Sequence, residues 1–372
     1  MVAGEASGDL LASLLLGGLK TRWPQLHTAG IGGPKMAALG FEAWWPSDKL
    51  AVRGYVEVLR HYRGIKAIRD QLGDRLLRER PAGFVGVDAP DFNLGLEKRL
   101  KAGGIRTVHF VCPSIWAWRG GRARKMAEGC DHVLCLFPFE PGLLALHGVA
   151  ASYVGHPLAD AIPLDPPRAA SRAALGLGEH DEVLAVLPGS RRSEIQYIAP
   201  RFLQAVARLA RSRPGLRFVL PVAPGLRGLV EPLVQAHAPD AGVRLLDGQS
   251  HAALAACDLT LIASGTATLE AALFKRPMVI GYAMHGLSWQ LMKRMAYQPW
   301  VGLPNILARE FVVPERIQEH CNPAQLERDV LEWLDDPARR ERVAARFLEQ
   351  HHLLRQNTAQ RATDALAKVF SL

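Results

Sequence analysis

The segment VGVDAPDFN, residues 85–93, runs an apolar strand into Asp88. In open parallel sheets the ligand crevice lies outside the carboxyl ends of the strands. A carboxylate placed there can take the proton from a substrate hydroxyl. Helix capping is the plainer use of an acid at a helix start. Asp91 is the better cap, because a helix reads from Asn93 onward. The two acids are spaced DxxD with no His or Cys beside them, so no metal is expected.

A second constellation is ASGTATLE, residues 263–270. The apolar run LTLIA ends at Ser264, Gly265 and Thr266, and a helix pattern starts there. Hydroxyls beside helix N-terminal amides make an anion site. Glu270, one helical turn further in, is placed to accept two ribose hydroxyls. LPGSR, residues 187–191, repeats the strand-to-turn logic with Ser190 and Arg191, a guanidinium suited to a diphosphate. Asn305 in LPN adds a side-chain amide. Capping alone explains single hydroxyls but not the sum, so a nucleotide site is expected in this half. The opening VAGEASGD is a weaker version, with Glu5, Ser7 and Asp9 as its polar groups and simple N-capping as the competing use.

Other residues are less committed. Trp116 and Trp118 in PSIWAWRGGRARK could stack on a sugar or a lipid surface, with Arg119, Arg122, Arg124 and Lys125 at an anionic end; two core tryptophans are the competing reading. His156 in GHPLAD sits at a strand end. In residues 51–80, Val56, Leu59, Tyr62, Ile65 and Ile68 recur every third position with Arg53, Arg60, Arg63, Lys66 and Arg69 between them. Such a helix lies either in a membrane interface or with its apolar side on a core. No GxGxxG with a following acid, no GxxxxGK[ST] and no GxSxG is present, which leaves the usual dinucleotide fold, a P-loop and a hydrolase elbow unsupported.

These motifs need parallel strands to carry them. Short apolar runs alternate with helical stretches, the α/β pattern. Strands are expected at 83–87, 106–111, 132–136 and 151–154, then at 182–187, 217–221, 243–246, 259–263 and 278–282, with helices such as 93–102 and 119–128 between. The Pro-rich stretch 158–172 reads as an interdomain linker, and the chain is nearly continuously helical beyond Pro323.

The composition agrees. A chain of 372 residues suits two domains. A net charge of +9 is spread along it with no basic tail, so a nucleic-acid arm is not expected while an anionic substrate or membrane surface is. The odd count of 5 Cys, with no CxxC, fits a reducing compartment. No apolar run is long enough to span a bilayer and the start does not read as a signal peptide, so a cytoplasmic protein is expected.

AGEASGD, IGGPKM, LAVRGYVEVL, DAPDFN, PSIWAWR, FPFE, GHPLAD, LPGSR, ASGTATLE, KRPMVIGY and LPNILA follow one another in the order seen in lipid-A-disaccharide synthases. The resemblance runs from Val2 to about Gln325. It implies a GT-B glycosyltransferase: two Rossmann-like α/β domains facing across a cleft. An acceptor domain at 1–162 and a UDP-sugar domain at 163–339 are expected, with helices of about 340–372 returning to the first. The implied hexosyltransferase reaction joins UDP-2,3-diacylglucosamine to 2,3-diacylglucosamine 1-phosphate (lipid X), giving the β(1→6) disaccharide 1-phosphate and UDP. By resemblance, Ser190, Arg191, Ser264, Gly265, Thr266 and Glu270 belong to the UDP site, with Asn305 beside it. Asp88 matches the catalytic base; Asp91, His109 and His156 stay open as alternatives. Glu5, Ser7 and Asp91 are expected on the acceptor side. Acylated substrates place the protein on the cytoplasmic face of the inner membrane, with Val56, Leu59, Tyr62, Arg60 and Arg63 as contacts. No cofactor or nucleic acid is implied, and a homodimer is among the expected partners. Relatives carry more residues before VAGE, so the first strand is expected to be short here. The competing readings are a different UDP-sugar GT-B transferase or epimerase, and a non-catalytic nucleotide-sugar-binding membrane protein.

Overall fold

The computed structural model describes residues 1–4, 6–50, 55–116, 120–286, 289–290 and 297–371, the side chains of 6 and 55–62 excepted. The chain divides into two compact units, Met1–Asp160 with Leu353–Leu372, and Ala161–His352.

The first unit is built on β1 (Val2–Ala3), β2 (Ala29–Gly32), β3 (Glu42–Pro46), β4 (Phe84–Val87), β5 (Thr107–Phe110), β6 (His132–Cys135) and β7 (Ala151–Tyr153). They form one sheet in the order β3-β2-β1-β4-β5-β6-β7, with parallel pairing between neighbours. The central strands read FVGV and TVHF and are buried throughout, as a sheet covered on both faces requires. On one face Val85, Val87, Val108 and Phe110 pack against Leu15 and Leu16 of helix Ala6–Arg22 and Leu366 of helix Thr358–Phe370. Each such leucine contributes roughly 2 kcal/mol of transfer free energy. On the other face Phe84 packs with Leu72, Leu76, Leu96 and Leu100.

Helix Tyr55–Glu79 supplies Leu72 and Leu76, with Ile65 and Ile68 partly buried beside them. Its second half is therefore a core helix. Val56, Leu59, Arg60 and Tyr62 have side chains outside the described residues, whereas Arg63 is exposed.

The chain re-enters the first unit at Leu353, later than the expected start near 340. Helix Pro337–Leu354 belongs to the second unit as far as His352, where Gln350 Nε2 donates to Pro304 O at 2.9 Å. The return is held by the GHPLAD segment. His156 N donates to Leu354 O at 2.9 Å, and the Asp160 carboxylate accepts from Asn357 N and Thr358 N at 2.9 and 2.7 Å. Asp160 thus caps helix Thr358–Phe370 from a distant part of the chain.

The second unit holds β8 (Val183–Leu187), β9 (Arg217–Val222), β10 (Arg244–Asp247), β11 (Leu259–Ala263), β12 (Met278–Tyr282) and β13 (Glu315–Ile317). Their order is β10-β9-β8-β11-β12-β13, again with parallel pairing. Strands β8 and β11 are buried at every residue.

Each sheet reverses its order of assembly at its first strand. In the first unit the reversal separates β1 from β4, with Ala3 beside Val87. In the second it separates β8 from β11, with Ile262 beside Leu187. These two points are where doubly wound sheets open a crevice at their carboxyl ends. Each motif picked out by chemistry, VAGEASGD with DAPDFN and LPGSR with ASGTATLE, leaves one of them.

Candidate active site

In the first unit the loops after β1 and β4 touch. A Cβ on Gly4 would stand 3.1 Å from the Ala89 Cβ. Asp88 and Ala89 both lie in the left-handed region, at φ 50° and 42°, and Val111 after β5 does so at φ 82°. Such conformations cost non-glycine residues of order 1–3 kcal/mol each and cluster at sites where geometry is over-determined. The constraint is visible: Asp88 N donates to Phe110 O at 2.9 Å, and Asn93 Nδ2 donates to Asp88 O at 2.8 Å. Helix Pro90–Ala102 starts after Ala89, which makes no side-chain cap.

Asp91 is therefore not the cap that its position suggested. Its carboxylate is exposed and paired with Arg122 Nη2, at 2.8 and 2.9 Å to its two oxygens. Ser7 is exposed, and Glu5 lies outside the described residues. Asp9 is buried and accepts from Gly33 N, Lys35 N and Met36 N at 3.0–3.1 Å, so it ties down the loop after β2.

Neither histidine offered as an alternative base is open to a hydroxyl. His109 is completely buried, with Nδ1 2.7 Å from Glu97 Oε1. His156 is buried against Phe137, and its Nδ1 accepts from Leu158 N at 3.2 Å. Burial holds its imidazolium down at about 4, so it is neutral at pH 7.

Trp116 belongs to an aromatic cluster, edge-on to Phe137 and Phe139. Its Nε1 donates to Glu140 Oε1 at 3.1 Å, and Phe137 N donates to Oε2 at 3.0 Å. Burial pushes the Glu140 carboxyl up to about 7. Trp118 and Arg119 lie outside the described residues. Arg124 pairs with Glu128.

In the second unit Ser190 and Arg191 follow β8 and precede helix Arg192–Ser212. Glu194, which sequence reasoning missed, organises this turn. Its Oε2 accepts from Ser190 N and Arg191 N at 2.9 and 3.2 Å, and its Oε1 accepts from Arg191 Nη1 at 3.1 Å. Gly189, at φ 119°, admits it: a Cβ there would stand 2.5 Å from Glu194 Oε2. The guanidinium of Arg191 stays exposed and is steadied from one side.

Across the same switch point, Gly265 and Thr266 are exposed, and among the described residues nothing lies within 4 Å of where a Gly265 Cβ would be. Thr266 opens helix Thr266–Leu273. Ser264 Oγ donates to Val301 O at 2.8 Å, and Thr268 Oγ1 donates to Gly265 O at 2.8 Å while accepting from Leu303 N at 3.2 Å. Glu270 pairs with His251 Nε2 at 3.4 Å. The hydrogen bond and charge of Glu270 raise the His251 imidazolium against the opposing effect of burial. His251 carried no sequence signal beyond following a Gly-bearing turn.

Asn305 is placed differently from expectation. It is fully buried and its amide is engaged: Nδ2 donates to Val313 O and Glu315 Oε1, each at 2.9 Å, and Oδ1 accepts from Val313 N at 3.0 Å. Glu315 in turn accepts from Val301 N and Gly302 N at 2.9 and 2.8 Å. Asn305 therefore pins the segment that Ser264 and Thr268 touch, rather than presenting its amide to a ligand.

The arrangement can do two things. A strained strand end carries Asp88 next to the loop of Gly4. A helix N-terminus opening at the exposed Thr266, with the exposed Arg191 at the neighbouring strand end, can hold an anion.

Comparison with known proteins carries this further. The family model described as lipid-A-disaccharide synthetase matches residues 1–369. The chain belongs to the lipid-A-disaccharide synthetase family. The lipid-A-disaccharide synthase of Verminephrobacter eiseniae is 58% identical, covering 100% of this chain and 97% of that protein. That of Burkholderia thailandensis is 55% identical over 99% and 95%. Among solved structures, a UDP-GlcNAc 2-epimerase from Neisseria meningitidis bound to UDP-GlcNAc gives a TM-score of 0.65 at 11% identity, covering 97% of this chain and 96% of that one. MurG of Acinetobacter baumannii gives 0.63 at 15%, covering 99% and 98%. At these identities the two structures speak for the fold alone, which is GT-B with two Rossmann-like α/β halves.

Proposed function

We propose that this member of the family condenses UDP-2,3-diacylglucosamine with 2,3-diacylglucosamine 1-phosphate (lipid X), forming the β(1→6) lipid A disaccharide 1-phosphate and UDP. The family match over residues 1–369 carries the reading, and it makes the protein a glycosyltransferase of lipid A synthesis. The residue roles are our assignment. Asp88 takes the proton of the acceptor 6-hydroxyl as that oxygen attacks the anomeric carbon. One bond forms and the bond to UDP breaks, so the displacement inverts the anomeric centre. Asp88 has the support such a base needs: a strand-end position and a backbone locked by Phe110 and Asn93.

UDP is assigned to the second unit. Arg191 and the amides opening helix Thr266–Leu273 meet the charge that develops on the diphosphate. Ser190, Ser264, Gly265 and Thr266 line that place. Glu270, steadied by His251, accepts the ribose hydroxyls. Asp91 with Arg122, Glu5 and Ser7 are assigned to the acceptor side.

Both substrates carry acyl chains, so the protein works at a lipid surface. Among the described residues no helix is long and apolar enough to cross a membrane. We assign contact with the cytoplasmic face of the inner membrane to Val56, Leu59, Arg60, Tyr62 and Arg63, and keep a homodimer as compatible with it.

The test is UDP release from UDP-2,3-diacylglucosamine in detergent micelles, with and without lipid X. Release that requires lipid X is expected. Release without acceptor would contradict the transfer reaction and favour a hydrolase or epimerase-like activity.

A further inference from the structure

Beneath the Asp88 loop lies a buried polar layer that the proposed transfer does not use. Asn93, Glu97 and His109 are all completely buried. Glu97 Oε1 is 2.7 Å from His109 Nδ1, and Glu97 Oε2 accepts from the Cys130 thiol at 3.2 Å. Asn93 Nδ2 holds the Asp88 carbonyl at 2.8 Å. Gly86, two residues before Asp88 and directly opposite His109 in the sheet, makes the room. A Cβ there would stand 2.2 Å from Glu97 Oε1 and 2.9 Å from Asn93 Cγ. Two atoms of this layer, His109 Nε2 and Asn93 Oδ1, are buried with no hydrogen-bond partner among the described residues.

Such a layer is costly. A buried acid–imidazole pair is rarely retained for stability, because desolvation offsets most of its attraction. Orphaned buried polar atoms add to the cost and call for an explanation. The layer directly abuts the strained strand end that carries the base.

We propose that Glu97 and His109 are positioning residues for Asp88: Glu97 fixes the His109 ring as an imidazolium, whose charge keeps the Asp88 carboxylate ionised, while Asn93 holds its backbone. This rests on the reading of Asp88 as the base.

The charges around His109 support it. Burial alone would push the imidazolium down, but Glu97 from helix Pro90–Ala102 and Asp88 from the end of β4 outweigh it and raise it. Arg122, from helix Arg122–Gly129, opposes them and is itself paired with Asp91. Burial and Glu97 push the Cys130 thiol far up, so it stays a neutral donor and does not compete for the role.

The sign follows. Loss of a cation near Asp88 makes the carboxylate easier to protonate. The acid limb of kcat/KM, which reports the free enzyme's base, then moves to higher pH. The experiment is the pH profile of kcat/KM for lipid X in the wild type, Glu97→Gln, Glu97→Asp and His109→Asn, with UDP affinity measured alongside. Glu97→Gln and His109→Asn are expected to move the acid limb up by about one pH unit or more, a tenfold loss on that limb. Glu97→Asp keeps the limb near its wild-type place, and UDP affinity is unchanged in all three. A uniform fall in rate with the limb unmoved would overturn the proposal and leave a structural role. Should the variants fail to fold, ¹⁵N spectra of the unmutated enzyme decide it: both His109 nitrogens protonated near neutral pH support the proposal, and a neutral ring overturns it. Asp88→Asn separates the two readings. If that variant keeps turnover, the base assignment fails; if it is inactive and the acid limb of Glu97→Gln stands still, only the positioning role fails.

Discussion

Gly86 and His109 face each other across β4 and β5, and the missing side chain of Gly86 is what admits the Glu97 carboxylate to the His109 ring. The smallest side chain at 86 already collides with Glu97. Gly86→Ala is expected to cost about 1–3 kcal/mol of stability and to impair turnover more than UDP affinity. Denaturant unfolding with a UDP titration checks this. Wild-type stability in Gly86→Ala would mean that the layer yields without strain.

Arg191 is exposed and braced by Glu194. Removing a charge-assisted, forked contact to a diphosphate should weaken UDP binding by about 10–100-fold in Arg191→Ala. Arg191→Lys should recover part of it, since a point charge replaces the fork. Calorimetric titration with UDP reads both. Unaltered affinity in the alanine variant would remove Arg191 from the site.

His156 carries a pH prediction. Its folded value is about 4 against an ordinary 6.5, so its contribution to stability is complete above pH 6.5 and is lost as pH falls toward 4. The size is about 3 kcal/mol. Because Leu158 N donates to Nδ1, protonation also removes the acceptor that caps helix Pro157–Ala161. Asn at this position keeps a capping acceptor and does not titrate. His156→Asn should therefore flatten the loss of stability across that window. Parallel pH curves for variant and wild type would contradict the assignment.

The membrane reading is tested on helix Tyr55–Glu79. Changing Val56, Leu59 and Tyr62 together to Ser should lower binding to anionic liposomes by at least about tenfold, through lost apolar burial. Binding that ignores these changes would assign the whole helix to the role that Leu72 and Leu76 already play in the core.

Much of this fold is legible in the chain because apolar runs bounded by turns are long in the middle of each sheet. β4, β5, β8 and β11 read as strands because both of their faces are buried. β2, β3 and β13 do not. AGIG offers little β-propensity, EAWWP is a half-exposed edge strand, and ERI is short and charged. The site divides in the same way. The strand-end position of Asp88 is legible because an acid directly follows a buried apolar run. Glu97 is hidden among Leu94, Leu96 and Leu100 on a helix, and its partner lies on another strand. Asn305 reads as a ligand amide until its bonds to Val313 and Glu315 are traced. A residue's chemistry is local, but what consumes it is not.

The most direct test of the account is Asp88→Asn, assayed for lipid X-dependent UDP release and titrated with UDP. The account predicts that turnover falls by about 10²–10⁴ while UDP binds as in the wild type. Turnover within a few-fold of wild type would contradict Asp88 as the base.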